Sequence, residues 1–272
     1  MGNMGKTAII TIGNNKGGVG KSTTAVNLSA GLAREGARVL VIDGDPQANT
    51  TSTLLPDLGL RENFSLVKAL DDPQGSFTPN VCATRTEHME IVPNSIRCME
   101  WEVKSYSSMD SVLGFSRLLQ NDKELEKYDF VVIDTPPNIG PMLRNALLIS
   151  DFTIVPVPVG DQYALDGFST FINVLSQAKQ QNKKLLLLGV VLTKLDGRAT
   201  THKKNRDKIR AFFDSKGVPV FDAEIKVNID LDRAHSHRKT IFEFDSTKTG
   251  ALDYQALAQE VISRVSQIQK AK

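Results

Sequence analysis

The chain has 272 residues, is 40% hydrophobic and 24% charged, and carries a formal net charge of +2 from 33 Lys and Arg against 31 Asp and Glu. That length fits one large α/β domain with a substantial core, and no apolar run approaches the roughly 20 residues needed to cross a membrane. Two cysteines, Cys82 and Cys98, offer no second pair for a zinc or iron–sulfur centre, and the first residues lack the apolar stretch of a secretory leader, so a reduced cytoplasmic setting is expected.

In chain order, residues 8–12 form an apolar run that predicts a buried strand, followed by a glycine-rich turn and a helix-like stretch at 22–35 that Gly36 ends. Further apolar runs at 39–42, 130–133, 153–157 and 185–192, with a weaker one at 90–92, alternate with helix candidates at 110–127, 165–180, 201–216 and 253–269. Gly217 and Pro219 stop the helix that starts at 201. The stretch 51–86, rich in Pro, Asp and Gly, predicts loops around one short helix. The strand runs are continuous rather than alternating, as in parallel strands covered on both faces. The expected fold is therefore α/β, a doubly wound and mostly parallel sheet flanked by helices, in a single domain over 1–272. Asp or Gly follows several runs, so polar groups gather at the strands' C-terminal edge, where open α/β sheets bind ligands.

The turn after the first run reads Lys16-Gly17-Gly18-Val19-Gly20-Lys21-Ser22-Thr23. A glycine-rich turn that ends in Gly-Lys-Ser and opens a helix aims backbone N–H groups at a phosphate chain. Lys21 stands where a phosphate-cradling lysine belongs, and Ser22 where a hydroxyl reaches Mg²⁺. The general spacing G-x-x-x-x-G-K-[ST] would need glycine at position 15; this chain has Asn15 there and a second lysine, Lys16, beside it. The run 39–42 leads into Asp43-Gly-Asp45-Pro-Gln, one βα unit beyond Lys21. The run 130–133 leads into Asp134-Thr-Pro-Pro, and a carboxylate ending an apolar strand can meet Mg²⁺ through a water. Taken singly, either acidic element reads as a cap or turn; with the glycine-rich turn they point to phosphoryl transfer.

These motifs resemble the deviant phosphate loop, switch I and switch II of the ParA/MinD ATPases. The likeness extends through Pro156-Val-Pro158, the segment 193–198 and the run from Gly250 to Glu260, so it spans residues 6 to about 265. Resemblance to ParA-type partition ATPases implies ATP and Mg²⁺ as cofactors and slow, switch-like hydrolysis. It implies nucleotide contacts from Gly17, Gly18, Val19, Gly20, Lys21, Ser22 and Thr23, and metal contacts from Ser22, Asp43 and Asp134. Two catalytic residues follow from the same likeness: Asp45 orients the attacking water, and Lys16 crosses an ATP-bound homodimer to the partner's phosphates, as an arginine finger does. Thr193-Lys194-Leu195-Asp196 also looks like the guanine-reading element of signal-recognition GTPases. Those proteins lack an equivalent of Lys16 and have Asp-Thr-Ala-Gly where this chain has Asp-Thr-Pro-Pro, so Lys194 and Asp196 are expected at an adenine.

The resemblance further implies non-specific binding of double-stranded DNA, association with the nucleoid, and a centromere-binding ParB-like partner that stimulates hydrolysis, in plasmid or chromosome partition. The short lead before the loop implies that the N-terminal DNA-reading extension of some relatives is absent. Many relatives carry Ile-Pro-Arg-Asn-Val where this chain has Ile225-Lys226-Val227-Asn228-Ile229, which removes an arginine implicated in DNA binding. Contacts to DNA are expected instead from Arg198, Lys203, Lys204 and Arg206, with Lys226, Arg238 and Lys239, directed at phosphates and sensitive to salt. The alternative is a MinD-like ATPase that positions cargo at a membrane. Its signature, a terminal amphipathic helix with large apolar groups, is not matched by the stripe Leu257, Val261, Val265 and Ile268, which is expected to pack on its own domain, and no membrane partner is expected. An electron-passing reductase would need cluster-ligating cysteines beside the switches, and neither Cys82 nor Cys98 adjoins a motif.

Overall fold

A computed structural model describes residues 6–106, 113–161 and 164–271. Its strands are β1 (Ala8–Ile12), β2 (Val39–Asp43), β3 (Cys82–Ala83), β4 (Met89–Val92), β5 (Phe130–Asp134), β6 (Phe152–Pro158), β7 (Leu186–Leu195) and β8 (Val220–Lys226). They form one sheet in the order β3-β4-β2-β5-β1-β6-β7-β8. All pairings are parallel except that of the two-residue β3, which runs antiparallel to β4 at the edge.

The connecting helices are α1 (Lys21–Arg34), α2 (Asn49–Leu54), α3 (Leu66–Asp71), α4 (Cys98–Ser105), α5 (Gly114–Asn121), α6 (Pro141–Ile149), α7 (Ala164–Gln181), α8 (Thr200–Ser215), α9 (Ile229–Ser236), α10 (Ile241–Asp245) and α11 (Thr249–Lys270). Strand parity sorts them into two layers. Ile10, Ile12, Val39, Val41, Phe130 and Val132 pack into one core with α1 and α11. Their neighbours Ile9, Leu40, Ile42, Val131 and Ile133 pack into the opposite core with α3, α5 and α6. Farther along the sheet, Val155, Val157, Val190 and Leu192 meet α7 and α8 on that second face. Every residue of β1, β2 and β5 is buried, which is why their sequences read as unbroken apolar runs.

The terminal stripe packs inward as expected. Leu257, Val261 and Val265 are fully buried in the α1 core, and Ile268 is partly buried against it. Each such side chain contributes about 1.5–3 kcal/mol by leaving water.

Three expectations differ from what is seen. The helix expected over 110–127 is the shorter α5 followed by a 3-10 turn at Leu125–Lys127, and residues 110–112 lie outside the described residues. It stops because Asp122 turns to accept from Thr78 N at 2.8 Å and Thr78 Oγ1 at 2.7 Å. The stretch 51–86 holds most of α2, all of α3, two 3-10 turns and β3 rather than loops around one short helix. There Ser65 caps α3 through Lys68 N, and Leu66, Ala69 and Leu70 supply a buried face too short to show a helical period. Finally, α4, α6, α9, α10 and β8 were not expected. α6 opens on Pro141, a residue that suits a helix's first turn, and β8 alternates in burial as an edge strand does.

Candidate functional site

The loop between β1 and α1 is shaped by backbone that L side chains adopt only at a cost. Gly18 and Gly20 have φ of 71° and 95°. Asn14 fastens the loop to β6 through Pro156 O at 2.8 Å, and Thr193 Oγ1, at the end of β7, donates to Val19 O at 3.0 Å. α1 then starts with no side-chain cap and no acidic residue in its first turn. Its first N–H groups therefore remain available to an anion.

These N–H groups open on a cavity of about 410 Å³ lined by Gly17, Gly18, Gly20, Lys21, Ser22 and Thr23 from the loop and α1. Asp45, Pro137 and Lys194 line it from three other strand ends, and α2 and the α9–α10 region close it with Thr53, His235 and Lys239. Val19 is buried beneath the loop, its carbonyl held by Thr193, and does not line the cavity. Lys21 is 5% exposed and donates to Lys16 O at 2.7 Å. Burial lowers its pKa, while Asp134 and Asp45 nearby hold it up.

Behind the cavity two carboxylates stand side by side. Parallel pairing of β2 with β5 sets Asp43 level with Asp134, both fully buried. Loss of water raises both pKa values; the repulsion between them adds to this at Asp43, and the Thr50 and Ser22 hydroxyls oppose it at Asp134. Asp134 Oδ2 accepts from Thr50 Oγ1 at 2.7 Å, and Asp134 Oδ1 is buried with no hydrogen-bond partner among the described residues. A buried, orphaned carboxylate oxygen beside a hydroxyl suits a hard divalent cation such as Mg²⁺.

Asp43, expected to meet the metal, also braces the chain that follows it. Its Oδ1 accepts from Asp45 N at 3.1 Å, and its Oδ2 accepts from Thr51 N at 2.7 Å and Thr51 Oγ1 at 2.6 Å. Both oxygens thus hold the turn into α2. Asp45, by contrast, is turned toward the cavity and 6% exposed, with Oδ1 accepting from Gln47 N at 2.9 Å.

Lys16 lies outside the residues that line the cavity, with Nζ 3.0 Å from Asp161 Oδ2. Lys194 reaches the cavity but Asp196 does not; its Oδ1 accepts from Arg198 N at 2.9 Å and its own N–H donates to His202 Nδ1 at 3.1 Å.

The basic residues expected to meet DNA are dispersed. Arg198, Lys203 and Lys204 are exposed at the start of α8. Arg206 pairs with Asp207 at 2.8 Å and lies 3.8 Å from Glu224, and Lys226 pairs with Asp253 at 2.6 Å. Arg238 donates to Ser52 O and Leu55 O, and Lys239 lines the phosphate-loop cavity. Of the cavity residues that carry no motif, Thr53 and His235 escape sequence reasoning, because only the fold joins positions so far apart.

A family model described as an AAA domain matches residues 7–187. The sporulation initiation inhibitor protein Soj of Bacillus subtilis (strain 168) is 36% identical over 259 residues, 95% of this chain and 98% of that protein. The chromosome-partitioning ATPase Soj of Thermus thermophilus is 35% identical over 265 residues, 96% of this chain and 98% of that protein. Among solved structures, cobyrinic acid a,c-diamide synthase from Mycobacterium smegmatis with bound ADP and magnesium matches with a TM-score of 0.78 at 25% identity, over 94% of each chain.

Proposed function

The chain belongs to the Soj/ParA family of chromosome-partitioning ATPases, and from that premise we propose that it is an ATP-timed switch for DNA segregation. One observation carries the reading: an uncapped, acid-free helix start, the Lys21 ammonium and the Asp45 carboxylate converge on one cavity, with an orphaned Asp134 oxygen behind Ser22.

In this reading the N–H groups of 17–23 and Lys21 bind the phosphates, and Ser22 and Asp134 hold Mg²⁺, which neutralises charge on the phosphoryl group when bound. Asp45 orients water for attack, its position fixed by Asp43 through the backbone N–H of Asp45. Asp43 is thus a positioning residue. Lys194 lies toward the base, while Asp196 supports its turn. Lys16 serves a partner chain in an ATP-bound homodimer, leaving Asp161 to do so. Arg198, Lys203 and Lys204 meet DNA phosphates, and a ParB-like protein stimulates hydrolysis in the cytoplasm at the nucleoid. The ADP and magnesium of the solved synthase support the cofactor assignment.

The test is binding to random-sequence duplex DNA with ATP, ADP or no nucleotide, across a salt series. The expected result is ATP-dependent, salt-sensitive binding that Lys16→Ala abolishes. Asp45→Ala keeps the binding and slows hydrolysis by about 10²-fold or more. Absence of DNA binding in every nucleotide state overturns the segregation reading.

A further inference from the structure

We infer that Arg238 is a positioning residue that clasps the end of α2 to the connector between α9 and α10, and so sets the spacing of two walls of the phosphate-loop cavity. Arg238 has φ of 55°, in the left-handed region that a non-glycine residue occupies only where its surroundings dictate it. Its surroundings are hydrogen bonds to α2. Nε donates to Ser52 O at 2.8 Å and Nη2 to Leu55 O at 3.0 Å. Arg85 completes the clasp by donating to Thr53 O at 2.7 Å and to Arg238 O, while its Nε lies 3.3 Å from Glu243 Oε1. His235 Nδ1 lies 3.1 Å from Thr53 Oγ1, a third tie between the two segments. Carbonyls at a helix C-terminus have no intrahelical donors, so these side chains satisfy groups that would otherwise need water.

The other end of α2 is fastened just as firmly. Thr50 donates to Asp134 and Thr51 to Asp43. α2 is therefore a strut between the buried carboxylate pair and the connector, and the cavity takes Asn49 and Thr53 from the strut, His235 from the end of α9 and Lys239 from the connector. A displacement of Asp43 or Asp134 reaches residues 235–239 through six residues of helix. This assignment also accounts for Arg238 without DNA, because its forked donors face the chain's own carbonyls. A lysine lacks that fork.

The link between the clasp and ligand affinity rests on the cavity being the nucleotide site, whereas the clasp itself does not. The test uses Arg238→Gly, which keeps the backbone conformation at no steric cost while deleting the guanidinium, and Arg238→Lys, which keeps the charge. Hydrogen exchange is measured on the protein without nucleotide or DNA. Both variants are expected to raise exchange at amides 52–55 by about ten-fold as that segment opens more readily, with β1 and β5 unchanged. Both are also expected to weaken binding of MgADP, measured by calorimetry, several-fold. Unchanged exchange in Arg238→Gly, or wild-type exchange in Arg238→Lys, overturns the clasp. If the wild-type protein binds no MgADP, the nucleotide reading fails, and exchange still decides whether the clasp exists.

Discussion

Gly44 shows how closely single residues are fitted around the buried acids. Its N–H donates to Asp134 O at 2.9 Å, and a Cβ placed on it would lie 2.6 Å from that same oxygen. Gly44→Ala must therefore push β2 away from β5 at the level of Asp43 and Asp134. Overpacking of this kind costs about 1–3 kcal/mol, and the expected outcome is a fall in Tm of about 2–5 °C by calorimetry, with weaker MgADP binding. At this scale the sequence identified Lys21, Ser22, Asp45 and Asp134 as residues worth watching, because glycine spacing and an acid ending a strand are local patterns. Nothing local separates Asp43 from Asp45, two acids two positions apart. The distinction comes from Thr51, whose hydroxyl and N–H occupy one Asp43 oxygen.

Among elements, α4 presents an uncommon case, a buried carboxylate facing the start of α6. Glu102 is 7% exposed, and its Oε1 has no hydrogen-bond partner among the described residues. Burial raises its pKa above the ordinary 4.5 and Asp45 adds to the rise, while Asn138 and the N–H of Met142 oppose it. A carboxyl group with a raised folded-state pKa contributes stability that is fully present below its unfolded value and is lost as pH rises through the folded value. Glu102→Gln stays neutral throughout. It is expected to be more stable than wild type near pH 8 and to converge with it below about pH 4.5, read from urea midpoints at several pH values. Strands were legible as elements because both faces are covered, whereas β8 and the short helices were not. β8 shows one buried face, and α9 and α10 are held by caps at Asn228 and Thr240 more than by any long apolar period.

Over the whole molecule, the doubly wound sheet was readable from the alternation of apolar runs and helices, but the cavity was not, because its walls come from segments far apart in sequence. The dispersal of basic residues has the same origin: a window of sequence gathers charges that the fold sends to different sides, so Lys239 meets the cavity while Lys203 and Lys204 do not. A ligand that joins several elements at once should stabilise all of them together. MgADP at a hundred times its Kd is expected to add about 2.7 kcal/mol and raise Tm by about 5 °C, while Lys21→Ala shows no shift in a thermal scan.

The packing of α11 and α10 against α1 also bears on how the protein comes into being. Thr24 lies 3.4 Å from the Tyr254 hydroxyl, and Asn27 Oδ1 accepts from Ile241 N at 2.7 Å, so the helix that carries the phosphate loop is completed by residues made more than two hundred positions later. During synthesis the loop leaves the ribosome early, yet its helix waits for its covering layer. At roughly 5–20 residues per second that wait lasts on the order of ten seconds or more. Until residues 241–254 have been made, a nascent chain therefore lacks the partners of Thr24 and Asn27 that fasten the loop's helix into the core.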